Sequence, residues 1–200
     1  NMVSMLFGLS DATGGPDPVF GAQFQDQAIV GFESEGRVTI RYREQPFTYP
    51  DGHIVSLRKP IYTTEAPLAP GVSLNPRIAP PMIGLGLIEA IADADLAAHA
   101  DPEDADGDGI SGRLGWVGAD TDRVIGRFGW KAMAPSLLAQ TAKAFSNDMG
   151  LSTRVHPAGW GDCTAAQDTC RTARHGDEGG RPEIDDALLD LVVFYSSHLA

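Results

Sequence analysis

The run Asp101-Pro-Glu103-Asp104-Ala-Asp106-Gly-Asp108-Gly109-Ile110-Ser-Gly112 places five carboxylates within eight residues. Charges at that density repel one another unless solvent or a cation separates them. Asp104, Asp106 and Asp108 alternate, and Gly109 follows where a sharp turn is needed. This is the first half of the calcium-loop pattern D-x-D-x-D-G, whose hard oxygen ligands suit Ca²⁺. The second half departs from the pattern, because the bidentate glutamate that normally closes it is missing. The expected metal site is therefore Ca²⁺ on Asp104, Asp106, Asp108 and the carbonyl of Ile110, with a further oxygen from Asp101, Glu103 or Asp120. The competing reading is a solvated acidic turn.

Other reactive side chains are sparse. Cys163 and Cys170 are too far apart for C-x-x-C redox or zinc chemistry and for the C-x-x-C-H signature of covalent haem. They read either as two unrelated buried thiols or as a local disulfide in a Gly/Asp-rich loop, the latter implying an oxidising compartment. The histidines are His53, His99, His156, His175 and His198, and no two stand three or four residues apart. A local zinc or di-iron site thus has no support, and hydrogen-bonded structural roles are the default. His156, beside Pro157 and near Trp160 and Cys163, is the one with most neighbours of chemical interest. Phe128-Gly-Trp130-Lys131 sets two aromatics and a cation in a short turn, which alone reads as packing with a snorkelling lysine. Nucleophile-elbow, P-loop and dinucleotide fingerprints are absent.

These residues must be held by a chain with few strong elements. Glycine and proline number 23 and 14 of 200, so much irregular backbone is expected. The net charge of −12 argues against nucleic acid and anionic membranes as partners. No apolar run approaches the roughly 18–20 residues of a membrane span. The N-terminal Asn1-Met-Val-Ser-Met-Leu-Phe7 lacks the basic and long apolar regions of a secretory leader, and the chain reads as excised or processed. Residues 11–21 are turn chemistry throughout. Residues 37–58 read as an antiparallel hairpin turning at Tyr49-Pro-Asp-Gly52, where proline and glycine suit a type I turn. Residues 60–81 hold six prolines without periodicity and read as an extended connection.

Helices are expected after that point. Pro81 suits a first helical position before Ile83, Leu87, Ile88 and Ile91, and Asp93 reads as the N-cap of a short piece, Ala94–His99. Gly84-Leu-Gly86 reads as close helix packing. Leu138, Ala142, Phe145 and Met149 share one helix face closed by Gly150. The last segment puts Ile184, Leu188, Leu191, Tyr195 and Leu199 on one stripe, with acidic residues in its first turn. The expected fold class is α+β, mainly α, with short helices, one β-hairpin and much irregular loop. There is no internal repeat or linker, so residues 1–200 read as one domain or part of one.

Seven blocks then resemble a single family, in order. They are Gly15-Pro-Asp-Pro-Val-Phe-Gly21, Ser56-Leu-Arg-Lys-Pro-Ile-Tyr62, Arg77-Ile-Ala-Pro-Pro-Met-Ile-Gly-Leu-Gly-Leu-Ile-Glu-Ala90, Asp104 to Arg113, Gly126-Arg-Phe-Gly-Trp-Lys-Ala132, Asp148-Met-Gly150, and Cys163-Thr-Ala-Ala-Gln167 with Cys170. Together they resemble the bacterial di-haem c-type oxidoreductases, relatives of the di-haem cytochrome c peroxidases that are also labelled thiol oxidoreductases. The family attaches its two haems through C-x-x-C-H motifs. This chain contains none, and the matching blocks lie between the family's two attachment sites.

The resemblance therefore implies the inter-haem segment of a longer, periplasmic or secreted protein with a cytochrome c-like peroxidase architecture. Haem c would sit on the parent protein, whose partners would be an electron-donor protein and a small peroxide-like substrate. The segment alone would lack peroxidase activity. Met149, Lys131 and His156 are the haem-environment candidates, since thioether, amine and imidazole can all ligate iron. Structural calcium is a theme of such peroxidases, which favours the acidic loop as a Ca²⁺ site. The competing readings are a non-catalytic, calcium-stabilised interaction module and a thiol–disulfide oxidoreductase using Cys163 and Cys170. The last follows from the family label only, because the pair lacks the C-x-x-C geometry that lowers a thiol pKa.

Overall fold

The computed structural model describes residues 5–119, 121–177 and 179–200. Asp120, one of the further ligands offered for the acidic loop, and the start of the segment read for a leader lie outside the described residues. In chain order the elements are β1 (Met5–Ser10), β2 (Gln23–Phe24), β3 (Val38–Thr48), β4 (Ile54–Thr64), β5 (Ser73–Ile78), α1 (Leu85–Glu89), α2 (Asp93–Ala98), β6 (Trp116–Val117), β7 (Val124–Ile125), α3 (Leu137–Met149), α4 (Asp168–Arg171) and α5 (Asp186–His198). Contacts gather in two units: one is built from residues up to Ile78 together with Cys163–Arg171, and the other from Ala79–Asp162 with Thr172–Ala200.

The fold is not mainly α, contrary to the expectation from sequence. Helix accounts for 21% of residues and strand pairing for 24%, in small antiparallel sheets. Two causes combine. Three of the five helices have six residues or fewer, and several strands lie in segments whose sequence does not alternate cleanly.

The first unit is a three-stranded antiparallel sheet, in the order β2-β1-β5, beside the two-stranded β3–β4 hairpin. In β1, alternate residues Phe7 and Leu9 point inward and are buried with Phe24, against Phe20, Val38, Tyr62, Leu68, Val72 and Leu74. The hairpin turns where expected, the Gly52 amide donating to the Tyr49 carbonyl at 2.9 Å. It is longer than the sequence indicated, because β4 runs to Thr64 through Pro60, and Ser73–Ile78 is a strand through Pro76. Residues 60–81 are therefore only partly a connection. Proline is tolerated because each of these strands has one unpaired edge, where a missing N–H costs nothing.

In the second unit α3 begins at the N-cap Ser136, whose hydroxyl accepts from the Ala139 amide, and ends at Gly150 in the left-handed region. Helix α2 starts one residue earlier than expected. Its N-cap is Ala92, without a side-chain bond, because the Asp93 carboxylate pairs with Arg127 instead. Helix α5 is capped by Asp185, which accepts from the Leu188 amide at 2.7 Å. Of the stripe read from sequence Ile184 is buried, but Leu188, Leu191 and Tyr195 are 45%, 64% and 61% exposed, and the helix itself buries Leu189 and Ser196. Apolar residues surround this helix on nearly every side, so periodicity cannot select one face. The core joins Ala142, Ile184 and Leu189 with Leu138, Phe145, Leu151 and Val193. Helix α1 reaches α5 closely: a Cβ on Gly86 would stand 2.0 Å from the Ser197 carbonyl oxygen.

Candidate functional site

The acidic loop is built by its own backbone. Asp101 and Gly112 pair across its base, the Asp101 amide donating to the Gly112 carbonyl at 2.9 Å. Asp104, Gly107 and Gly109 take left-handed backbone angles (φ 53°, 74° and 85°), which curl the chain between them. The carboxylates then accept from nearby amides. Asp101 accepts from Ala105 at 2.9 Å, Asp104 from Gly109 at 3.1 Å, Asp106 from Asp108 at 3.1 Å, and Asp108 from Ile110 at 2.8 Å. Oxygens of Asp101, Asp104 and Asp106 converge to within 4.8 Å of one another.

Two of the four ligands read from sequence, Asp104 and Asp106, thus belong to the convergent group. Asp101, offered only as a further ligand, is its third member. Asp108 and Ile110 lie on the same loop outside that trio, with the Asp108 carboxylate turned to the Ile110 amide. The alternating pattern begins at Asp104 and leaves Asp101 outside its register, but the Asp101 carboxylate is drawn into the loop by accepting from the Ala105 amide.

The haem-environment candidates occupy separate settings in the same unit. Lys131 is exposed on the loop from Phe128 to Ala134, whose ends pair with each other. Gly126 lets that loop fold tightly, since a Cβ there would stand 1.8 Å from the Ala132 carbonyl oxygen. Met149 ends α3 and is 61% exposed, although its spacing placed it on the apolar face of that helix. His156 is half-buried and held by its backbone, its amide donating to Thr153 Oγ1 at 3.0 Å and its carbonyl accepting from the Thr153 amide at 2.8 Å. Among the described residues, no hydrogen bond or ion pair joins Lys131, Met149 and His156.

Several positioning residues carry no local sequence signal. Arg127 donates to the Ile88 and Ile91 carbonyls at the end of α1 and pairs with Asp93. A cation there suits the helix C-terminus. Glu89 of α1 accepts from the Leu137 amide at 2.7 Å, placing a carboxylate at the N-terminus of α3. Glu183 accepts from the Ser152 amide at 2.9 Å and the Gly176 amide at 2.8 Å. Burial pushes its carboxyl up, but these amides, the Ser152 hydroxyl and nearby His175 more than offset that and hold it below the usual range.

Cys163 and Cys170 form a disulfide, so the two-thiol reading falls. The bridge closes the loop that carries α4. That loop is tied to its own unit by the Thr164 hydroxyl, donating to the Val19 carbonyl at 2.6 Å, and by Gln167, donating to Glu35. No helix among the described residues is long and apolar enough to cross a membrane.

A family model described as "Di-haem oxidoreductase, putative peroxidase" matches residues 19–200. No curated protein and no solved structure matches the chain.

Proposed function

The chain belongs to the di-haem oxidoreductase family, and from that premise we propose that it is the inter-haem segment of a periplasmic, peroxide-reducing protein. The observation carrying this reading is the match over residues 19–200 in a chain without a C-x-x-C-H motif. The residues present do not fit covalently held haem. Thioether attachment needs two cysteines two residues apart followed by histidine, and the two cysteines here are bonded to each other. A cleft of about 510 Å³ offers no alternative seat, for it is lined by Glu33, Glu35 and Glu65 where a macrocycle needs apolar walls. The haems belong, on this reading, to other parts of the polypeptide.

The parent protein would take two electrons from a donor protein and two protons to convert one hydrogen peroxide to two waters. This chain's contribution is scaffolding: Glu89 ties α1 to the start of α3, Arg127 joins the end of α1 to Asp93 at the start of α2, and Ser136 caps α3. Met149 and Lys131, both exposed, are the side chains available to a group held outside the chain; His156 is the third candidate. Intact protein should oxidise a reduced donor in the presence of peroxide, and residues 1–200 alone should not. Turnover by residues 1–200 alone would contradict the reading, as would a Soret band from them that survives acid-acetone extraction.

The acidic loop is proposed to hold a structural Ca²⁺. Convergence of Asp101, Asp104 and Asp106 supports this, and the alternating pattern adds Asp108 and the Ile110 carbonyl as candidates for a shell of six or more oxygens. A cation bound only by the folded state stabilises it by mass action, so millimolar calcium should raise the melting temperature. Asp106→Asn should remove much of that gain. Superimposable melting curves in calcium and in chelator would leave the loop a solvated acidic turn.

A further inference from the structure

The β3–β4 hairpin has one face whose charges lack counterparts. Directly opposed residues of an antiparallel pair share a face. The register therefore sets Thr39, Arg41, Arg43, Gln45 and Phe47 beside Thr63, Ile61, Lys59, Leu57 and Val55. That face holds three cations and no carboxylate. Arg43 stands directly opposite Lys59, where like charges destabilise a sheet. The other face is balanced: Arg58 lies 3.9 Å from Glu44 and 4.3 Å above the Tyr42 ring. No ion pair among the described residues involves Arg41, Arg43 or Lys59. Phe47, Leu57 and Ile61, interleaved with these cations, are 46%, 49% and 43% exposed. Only the foot of the other face is packed, through Val38 and Tyr62, and a two-stranded ribbon otherwise open to water is marginal by itself.

Charge indicates what covers this face. Residues 38–64 hold four cations and two carboxylates, a net +2 in a chain of −12, which leaves −14 on the remaining residues. The same unit carries the cleft lined by Glu33, Glu35 and Glu65. We propose that the chain self-associates, the Arg41–Arg43–Lys59 face of one copy seating on the Glu33–Glu35–Glu65 cleft of a second copy, and reciprocally. Face-to-face pairing of the two ribbons is disfavoured because it would set arginine against arginine. Reciprocal seating instead closes a two-fold dimer. An 11-residue strand spans about 36 Å, and a two-stranded face is roughly 10 Å wide. Two such faces and the surfaces they cover amount to as much as about 1,400 Å², the size of a standard specific interface. The apolar side chains would supply its centre and the charges its register.

Sedimentation velocity of the protein at micromolar concentrations tests this directly. A dimer is expected in about 0.05 M salt, with its dissociation constant at least tenfold higher in about 0.5 M salt, where screening is stronger. Arg43→Glu and Glu33→Lys should each weaken the dimer by tenfold or more, and mixing the two variants should restore association. The mixture guards against misfolding, since a misfolded variant would not be rescued by its complement. A wild-type protein that stays monomeric at about 100 µM, a dimer indifferent to both charge reversals, or a mixture that stays monomeric would each overturn the proposal.

Discussion

Asp17 is fully buried, and its carboxylate gathers three amides: Val19 at 2.8 Å, Phe20 at 3.0 Å and Ala69 at 2.9 Å. Burial raises its pKa, but the bonds from Ala69, Phe20 and Val19 outweigh that and hold it below its ordinary 3.8. Asp17→Ala removes three charge-assisted bonds and strands buried donors, so a loss of about 3 kcal/mol or more is expected in urea unfolding. The sign of the pH effect follows from the depressed folded pKa. The unfolded chain binds more protons near pH 4, so the stabilisation is present above that pH and is lost as pH falls through the folded value. Glu183, depressed from 4.5, adds to the same acid limb. A urea midpoint that does not change between about pH 6 and pH 3 would refute both assignments. Neither role was legible in the sequence. Asp17 sits among turn residues and Glu183 in an acidic helix start, while the partners that complete their shells, Ala69 and Ser152, stand 52 and 31 residues away.

At the scale of elements, the legible parts were those with local causes. The Tyr49–Gly52 turn, the Gly150 stop of α3 and the acidic start of α5 each depend on residues within one turn, and each is present. The failures involve tertiary choice. β5 carries a proline that reads as loop until an edge position accommodates it, and α5 buries Leu189 because α3 meets that side. Gly86→Ala tests the α1–α5 approach. In an open helix the change would stabilise by up to about 1 kcal/mol, whereas overlap with the Ser197 carbonyl should instead cost about 1–3 kcal/mol. The Cys163–Cys170 bridge closes a short loop with a sequence separation of seven. Cys163→Ser paired with Cys170→Ser should lower stability by about 2–3 kcal/mol on the chain-entropy estimate. Unchanged melting of the double variant would show that the bonds of Thr164 and Gln167 suffice to hold that loop.

For the molecule as a whole, family membership was legible because seven short blocks keep their order along the chain, and the match over residues 19–200 agrees with them. The acidic loop was legible in part. Alternating aspartates gave Asp104 and Asp106, but the third carboxylate, Asp101, is drawn in by accepting from the Ala105 amide. The balance of helix and strand was not legible, because β2, β6 and β7 have two residues each and β1 finds its partner β5 far along the chain. On the function proposed, residues 1–200 scaffold a di-haem centre without carrying either haem. Peptide mapping of the intact protein by mass spectrometry tests it most directly. Two haem c adducts on peptides outside residues 1–200, with peptides inside them free of haem, is the predicted result. A haem adduct within residues 1–200, or an intact protein with no covalent haem at all, would contradict it.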